Sequence, residues 1–278
     1  METKAGDPGA FAHFDLARVP SPAFVVDELA VLRNLEILAD IRARSGVKIL
    51  LALKAFSMWS LAPLVDEYLD GYCASGLWEA RLARECYNGQ ISTYSPAYKA
   101  DDLVELSRIS EHITFNNPQQ IERWKSDSNQ DIVLDSSDIG LRINPEIALG
   151  ETAKYDPSQP HSRLGFPISQ LRPEHFEHLS GIHFHNLCEQ GFDALAQTWA
   201  KVEPVIAPHF GALKWINLGG GHHITRNDYD REALVDFLKA LKARSGCEIY
   251  LEPGEAVALD SGILVGEILD VFDNGMPV

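Results

Sequence analysis

The residues of this sequence that could do chemistry are one lysine, a pair of histidines, three consecutive glycines and a pair of glutamates. Each stands where a short apolar run ends. Lys54 follows Lys48-Ile49-Leu50-Leu51-Ala52-Leu53, a continuous apolar run whose length marks a strand buried on both faces. A lysine amine among such neighbours loses hydration, which lowers its pKa and frees it to attack a carbonyl; the alternative is a lysine that snorkels from the strand end to water. His183 and His185 are two apart in His183-Phe184-His185-Asn186-Leu187-Cys188-Glu189, so on a strand they face the same side. Gly219-Gly220-Gly221-His222-His223 and Glu252-Pro253-Gly254-Glu255 complete the set.

Three glycines between a strand and a helix leave backbone N–H groups free to close on a phosphate, with the helix dipole helping; the alternative is a tight turn without a ligand. An amine, a phosphate cradle and a carboxylate at three strand ends point to pyridoxal 5′-phosphate. The lysine would attach to the cofactor's aldehyde, and the carboxylate would keep its pyridine nitrogen protonated. The H-x-H spacing also permits zinc, and with it a metal-dependent hydrolase, but that reading leaves Lys54 and the triple glycine without work. Of the two histidines, His183 is the one expected to be a satisfied core residue. Glu79, Arg81, Arg84 and Glu85 read as a solvated helix face, with Glu79 near the site.

These positions need a frame that brings strand ends together. Ser21–Asp27 reads as a short strand, and Asp27 caps a helix carrying Leu29, Leu32, Leu35, Leu38 and Ile41 until Gly46 ends it. From Lys48 onward the pattern predicts eight strands, at 48–56, 70–75, 90–95, 112–116, 138–144, 180–186, 214–219 and 248–252. Helices are predicted at 58–69, 77–88, 100–110, after Asn117-Pro118, at 192–207 and at 228–244. Such alternation implies parallel strands with right-handed crossovers, and eight of them imply an α/β fold of the (β/α)8 barrel type, with its site at the carboxyl ends of the strands. A doubly wound open sheet is the runner-up, but no G-x-G-x-x-G follows an early strand. The connection from Pro145 to Leu171 is long and rich in Pro, Ser and Gly, as functional loops are.

Composition bounds the rest. With 278 residues, 45% of them hydrophobic, the chain has material for a large core. Its net charge of −16, from 24 Lys+Arg against 40 Asp+Glu, argues against a nucleic-acid partner and suits cationic small molecules. Cys73, Cys86, Cys188 and Cys247 show no metal-type pairing, which points to reduced thiols and a cytoplasmic protein. No run reaches transmembrane length, Met1–Val19 lacks the apolar core of a signal peptide, and roughly the first fifteen residues are expected to be a loose tail.

Taken together, the motifs resemble the fold-type III pyridoxal-phosphate enzymes, a family that includes alanine racemase, ornithine decarboxylase and diaminopimelate decarboxylase. They are Leu-Ala-Leu-Lys54-Ala-Phe, Cys-Ala-Ser75, Leu-Arg142-Ile-Asn-Pro, Ser-Arg163-Leu-Gly, His-Phe-His185-Asn-Leu-Cys188-Glu, Gly219-Gly-Gly221-His-His and Glu252-Pro-Gly254-Glu. Within that family the carboxynorspermidine/carboxyspermidine decarboxylase branch is the nearest likeness, through Thr93-Tyr-Ser-Pro-Ala-Tyr-Lys99, Tyr155-Asp-Pro157 and Asn274-Gly-Met-Pro277. The resemblance runs from about Pro20 to Val278.

The resemblance implies roles. Lys54 would hold the cofactor, His185 would stack on its ring, Glu252 would pair with its nitrogen and Arg142 would support that network. Gly219, Gly220, Gly221, Gly254 and Cys188 would contact the phosphate. Arg163, matching a racemase-type arginine, would orient substrate together with Glu255, which stands where many relatives place a phosphate-binding arginine. Tyr72 stands where ornithine decarboxylases carry an aspartate, and no role transfers to it. The implied reaction is decarboxylation of a carboxylated, cationic polyamine in a homodimer, with no nucleic acid and no membrane involved. The implied domains are an N-terminal tail and β-domain strand at 1–27, the barrel at 28–255, and the start of a C-terminal β-domain at 256–278, with strands expected at 21–27 and within 256–272. In such relatives a cysteine of the β-domain is expected to return the proton, and none follows Cys247. The expectation is therefore a truncated β-domain and a chain that decarboxylates poorly, or a barrel that binds the cofactor without turnover.

Overall fold

The computed structural model describes residues 11–126, 138–150 and 153–276. Its elements in chain order are β1 (Ala23–Val26), α1 (Glu28–Ser45), β2 (Lys48–Ala52), α2 (Ala62–Tyr68), β3 (Gly71–Ala74), α3 (Leu77–Cys86), β4 (Gln90–Tyr94), α4 (Ala100–Ile109), β5 (His112–Phe115) and α5 (Pro118–Ser126). After these come β6 (Asp138–Asn144), β7 (Phe166–Pro167), β8 (Gly181–His183), α6 (Phe192–Ile206), β9 (Trp215–Asn217), α7 (Arg231–Ser245), β10 (Glu248–Leu251), α8 (Glu255–Ala258) and β11 (Gly262–Val265). Eight strands, β2-β3-β4-β5-β6-β8-β9-β10, pair in parallel, and β10 returns to β2 through Tyr250↔Lys48 and Leu251↔Ile49 to close the barrel. The eight predicted strands are all present.

The strands are shorter than their apolar runs. β2 stops at Ala52 because the chain folds over there: Ala55 N–H and Phe56 N–H both donate to the Ala52 carbonyl, at 3.1 and 3.2 Å. β8 likewise ends at His183 and β9 at Asn217, so the chemical residues of the 184–189 and 219–223 stretches ride on loops above the sheet. In α1 the buried face is Val31, Asn34, Leu35, Leu38 and Ile41, while Leu29 is 64% exposed. A step of three residues turns 300°, so a stripe drawn through Leu29, Leu32 and Leu35 drifts off the buried face. Gly46, at φ +70°, ends the helix as expected. α2 starts later than predicted, with Pro63 in its first turn, and α7 starts at Arg231 because the Asp230 side chain accepts the Ala233 N–H at 3.0 Å.

Inside the barrel the end away from the strand C-termini is closed by aromatic packing. Trp215 is buried, His112 stacks on it with ring centroids 4.5 Å apart, and Tyr250 meets both edge-on. Room for the indole comes from Gly140 and Gly181: a Cβ on Gly181 would lie 2.0 Å from the indole Cδ2. The opposite end stays open. Over it runs the long connection, in which β7 adds to β6 through Ile143↔Phe166.

β1 and β11 pair antiparallel with each other, from Ala23↔Val265 to Val26↔Gly262, apart from the barrel. The strand expected within 256–272 is confined to Gly262–Val265, preceded by the short α8. Residues 1–10 of the expected tail lie outside the described residues; beyond them Leu16–Arg18 forms a 3₁₀ turn capped by Asp15. No helix among the described residues is long and apolar enough to cross a membrane.

Candidate active site

Lys54, Cys73, Tyr94, Arg142, His185 and Glu252 line one pocket at the open end of the barrel, with His183 beside them. They come from the ends of β2, β3, β4, β6, β8 and β10, which places the sequence-predicted lysine, histidines, arginine and glutamate together. Lys54 itself departs from expectation in one respect. It is exposed: the apolar run ends at Leu53, and the turn that follows carries Lys54 to the mouth of the pocket.

The floor of the pocket is a buried carboxylate. Glu252 Oε1 accepts from Asn217 Nδ2 at 2.6 Å, and Oε2 lies 3.4 Å from His183 Nε2. Burial opposes its ionisation most strongly, yet His183, His185 and Asn217 together outweigh burial and hold the Glu252 carboxyl at about 2. The imidazoles go the other way. Burial, above all, depresses the proton affinity of both; for His185 the neighbouring cations Lys54 and Arg142 add to it. Both ring nitrogens of His183 are buried without a hydrogen-bond partner among the described residues. The residue expected to be a satisfied core histidine is therefore buried but unsatisfied, and it belongs to the pocket. Cys73 also faces the pocket, its thiol pushed well up by burial and then by Glu252, while its neighbour Tyr72 points outward, donating to Asp66 in the helix layer. The alternation of side chains along β3 separates the two, and Tyr72 has no place in the site.

His185 is held at three points. Its Nδ1 accepts the Gly220 N–H at 3.2 Å, its carbonyl accepts from Arg142 Nη2 at 2.8 Å, and its ring lies 6.4 Å from that of His183. Arg142 is buried, with its guanidinium carbon 4.5 Å from the centre of the Tyr94 ring. Tyr94 was quoted above only as part of a motif, and Asn217 not at all. Both were findable, since Tyr94 ends β4 just as Lys54 follows β2, and Asn217 stands two residues before the triple glycine.

The triple glycine corrects the simple cradle. Gly219 N–H donates to Asn217 Oδ1 at 2.8 Å and Gly220 N–H to His185, so these two amides are already engaged. All three glycines are required by close packing: a Cβ would lie 2.3 Å from Phe184 O at Gly219, 2.0 Å from Glu252 O at Gly220 and 1.9 Å from Leu187 O at Gly221. Gly221 and Gly254 keep backbone N–H groups without partners among the described residues. Cys188 is exposed nearby, its thiol raised by burial and then by Glu189, Glu255 and Asp156. Glu255 Oε2 lies 3.2 Å from the buried His223 Nε2. Arg163 is exposed and stands outside the pocket wall, at the rim. Glu79 accepts from both the Ser75 N–H and hydroxyl at 2.7 Å, at the pocket edge, while Arg81 and Arg84 are paired with Glu105 and Glu111 rather than simply solvated. Of the quoted motifs, Pro277 lies outside the described residues.

Two occupants fit a set like this to different degrees. Atoms of His183, His185 and Glu252 lie within 4.8 Å of one another, as a metal would need. But His185 accepts a hydrogen bond at Nδ1, so its neutral ring carries the proton on Nε2 and presents a donor there instead of a lone pair. Two cations, Lys54 and Arg142, also face the same space. An aromatic ring with a basic nitrogen, an aldehyde and a phosphate suits the site better. The carboxylate meets the nitrogen, the imidazole offers a face, the lysine offers an amine, and the Gly221 and Gly254 amides offer donors to an anion.

No family model matches the chain. It is 38% identical over 257 residues to the carboxynorspermidine/carboxyspermidine decarboxylase of Campylobacter jejuni, covering 92% of this chain and 66% of that protein. It is 33% identical over 261 residues to the enzyme of the same name from Herminiimonas arsenicoxydans, covering 92% of this chain and 69% of that one. The chain thus spans about two thirds of the length of these relatives. Among solved structures, carboxynorspermidine decarboxylase from Campylobacter jejuni, complexed with norspermidine, superposes with a TM-score of 0.82 at 37% identity, over 93% of this chain and 66% of that one.

Proposed function

The chain belongs to the carboxynorspermidine/carboxyspermidine decarboxylase family, and from that footing we propose that it removes CO₂ from carboxynorspermidine or carboxyspermidine, leaving norspermidine or spermidine for polyamine synthesis. The observation that carries this reading is the floor of the pocket, where an ionised, buried Glu252 held by Asn217 stands in one chamber with Lys54. Pyridoxal phosphate, when bound, supplies an acceptor for the electron pair that the departing carboxylate leaves behind.

The chain's own residues would act as follows. Lys54 would hold the cofactor through its amine at the mouth of the pocket. Glu252 holds a proton on the ring nitrogen, which keeps the ring electron-poor. Its own hydrogen bond from Asn217 keeps it charged when water is displaced. His185 supports the ring face, and Arg142 fixes His185 through its carbonyl. Gly221 and Gly254, with Cys188, receive the phosphate, while the close packing of Gly219 and Gly220 brings those loops together. The acidic surface favours a cationic polyamine. In this reading the β1–β11 pair begins a second domain, the protein works as a cytoplasmic homodimer, and neither nucleic acid nor membrane is a partner.

Measuring CO₂ released from carboxynorspermidine, carboxyspermidine and diaminopimelate with added cofactor tests the proposal. Release from one or both carboxylated polyamines and none from diaminopimelate is expected. Turnover of diaminopimelate alone would move the chain to a different decarboxylase specificity.

A further inference from the structure

Three adjacent strands each turn one polar side chain into the barrel at the same level. The register pairs Arg142 of β6 with His183 of β8, and His183 with Asn217 of β9. One level below, the register partners Gly140, Gly181 and Trp215 form the aromatic plug and its seat, on the same inward face. The two outer members of the upper level are hydrogen-bonded. Arg142 Nη2 donates to the His185 carbonyl, and Asn217 Nδ2 donates to Glu252 Oε1. His183, between them, is 3% exposed, and neither of its ring nitrogens has a hydrogen-bond partner among the described residues.

An imidazole with two idle nitrogens makes a poor core residue. Burying it unpartnered costs free energy that an aliphatic side chain of similar size would not cost. Its edge contact with Tyr94, at a ring distance of 5.6 Å, is one that a phenylalanine could also make. What the imidazole adds is a nitrogen facing the carboxylate. Nε2 lies 3.4 Å from Glu252 Oε2, while Asn217 holds the other oxygen, Oε1. That gap is a few tenths of an ångström longer than a formed N–H···O bond, so a small rotation of either group closes it. An ionised carboxylate only accepts, so Nε2 must carry the hydrogen whether the ring is neutral or charged. Of the other groups lining the pocket, the Cys73 thiol is a weak donor and Lys54 stands at the exposed mouth.

We infer that His183 is a positioning residue whose Nε2–H donates to Glu252 Oε2, so that His183 and Asn217 together fix both oxygens of the carboxylate that meets the cofactor's ring nitrogen; this rests on the decarboxylase reading above. A carboxylate held by two donors is a weaker base than one held by a single donor. The proton between Glu252 and the ring nitrogen therefore stays on nitrogen, where it keeps the ring electron-poor. Without the His183 donor, burial would favour the neutral acid and draw that proton onto Glu252.

The test is NMR of nitrogen-labelled samples. In wild-type protein carrying labelled histidine, His183 should show its hydrogen on Nε2, with and without pyridoxal phosphate. In protein loaded with ring-labelled pyridoxal phosphate, the wild type should give a protonated ring nitrogen. His183→Leu should move that resonance toward the bare-nitrogen value and lower kcat for carboxynorspermidine roughly tenfold or more, with cofactor affinity changed by less than about threefold. His183→Gln, whose amide nitrogen reaches the place of Nε2, should keep the protonated resonance and most of the activity. A merely structural role would weaken cofactor binding and leave the resonance of the bound ring where it was. Three results would overturn the inference alone: a bare Nε2 in the wild type, a ring resonance unmoved by His183→Leu, or one moved as far by His183→Gln. The wild-type histidine spectrum decides the matter if the leucine variant does not fold. A wild-type chain that takes up no pyridoxal phosphate would overturn the decarboxylase reading, and its histidine spectrum would still judge the contact with Glu252.

Discussion

Asn217 Nδ2 stands 2.6 Å from Glu252 Oε1, joining the end of β9 to the loop after β10 at the bottom of the pocket. Through its other end Asn217 also accepts the Gly219 N–H at 2.8 Å. One carboxamide therefore orients the buried carboxylate and the first turn of the triple-glycine loop together, so the cofactor's nitrogen end and its phosphate end share a support.

Glu252→Gln keeps the shape of that contact and removes the charge. It should lower turnover by about 10²-fold or more while leaving cofactor occupancy within a few-fold, because the charge acts on the electron-poor ring and binding has many other contacts. Paired measurements of CO₂ release and of cofactor absorbance check this. Equal turnover would remove Glu252 from the mechanism.

Asn217→Leu takes a hydrogen bond from a buried carboxylate and should raise the Glu252 pKa from about 2, since burial, the strongest influence on it, already favours the neutral acid. Activity limited by ionised Glu252 is present above that pKa and lost as pH falls through it. The acid limb of the kcat/KM profile should therefore move to higher pH in the variant. An unmoved acid limb would mean that Asn217 does not keep the carboxylate charged.

His112, stacked on Trp215 at the closed end, gives a pH-dependent stability. Burial pushes its pKa from 6.5 down to about 4. The unfolded chain then binds the proton more readily than the folded one between these values, so the contribution is fully present above about 6.5 and is lost as pH falls towards 4. It amounts to roughly 3 kcal/mol at most. His112→Gln should reduce the slope of unfolding free energy against pH in that window by about one proton. An unchanged slope in denaturant titrations at pH 4.5 to 7 would contradict the burial argument.

Gly181→Ala tests the aromatic plug itself. Its Cβ would meet the Trp215 indole at 2.0 Å, and overpacking of this kind typically costs about 1–3 kcal/mol. A fall in Tm is expected, partly recovered by adding Trp215→Phe, which frees space. A neutral Gly181→Ala would show that the indole has room to move.

The barrel was legible because its evidence is local. Each strand is a short apolar run and each helix has its own stop signals, such as Gly46, so eight alternations carry the topology even where Lys48–Phe56 overran its strand by four residues. Side-chain environments were legible only in part. Strand ends revealed Lys54, His185 and Glu252, but nothing local says that the turn after Ala52 exposes Lys54 or that Gly219 and Gly220 give their N–H groups to Asn217 and His185. Asn116 was invisible for the same reason. Its partners, the Tyr94 hydroxyl and the Arg163 carbonyl, lie 22 and 47 residues away, and they meet only once the barrel has closed and the chain before β7 has returned to β6.

Lys54 is the residue on which the chemistry rests, and it can be examined without assuming a substrate. The protein would be incubated with pyridoxal phosphate, reduced with borohydride, digested, and its peptides weighed. One cofactor mass per chain on the peptide containing Lys54, with no covalent label and no visible band in Lys54→Ala, is the expected result. Label on another lysine, or a protein that takes up zinc stoichiometrically and no cofactor, would contradict the reading of this pocket as a pyridoxal-phosphate site.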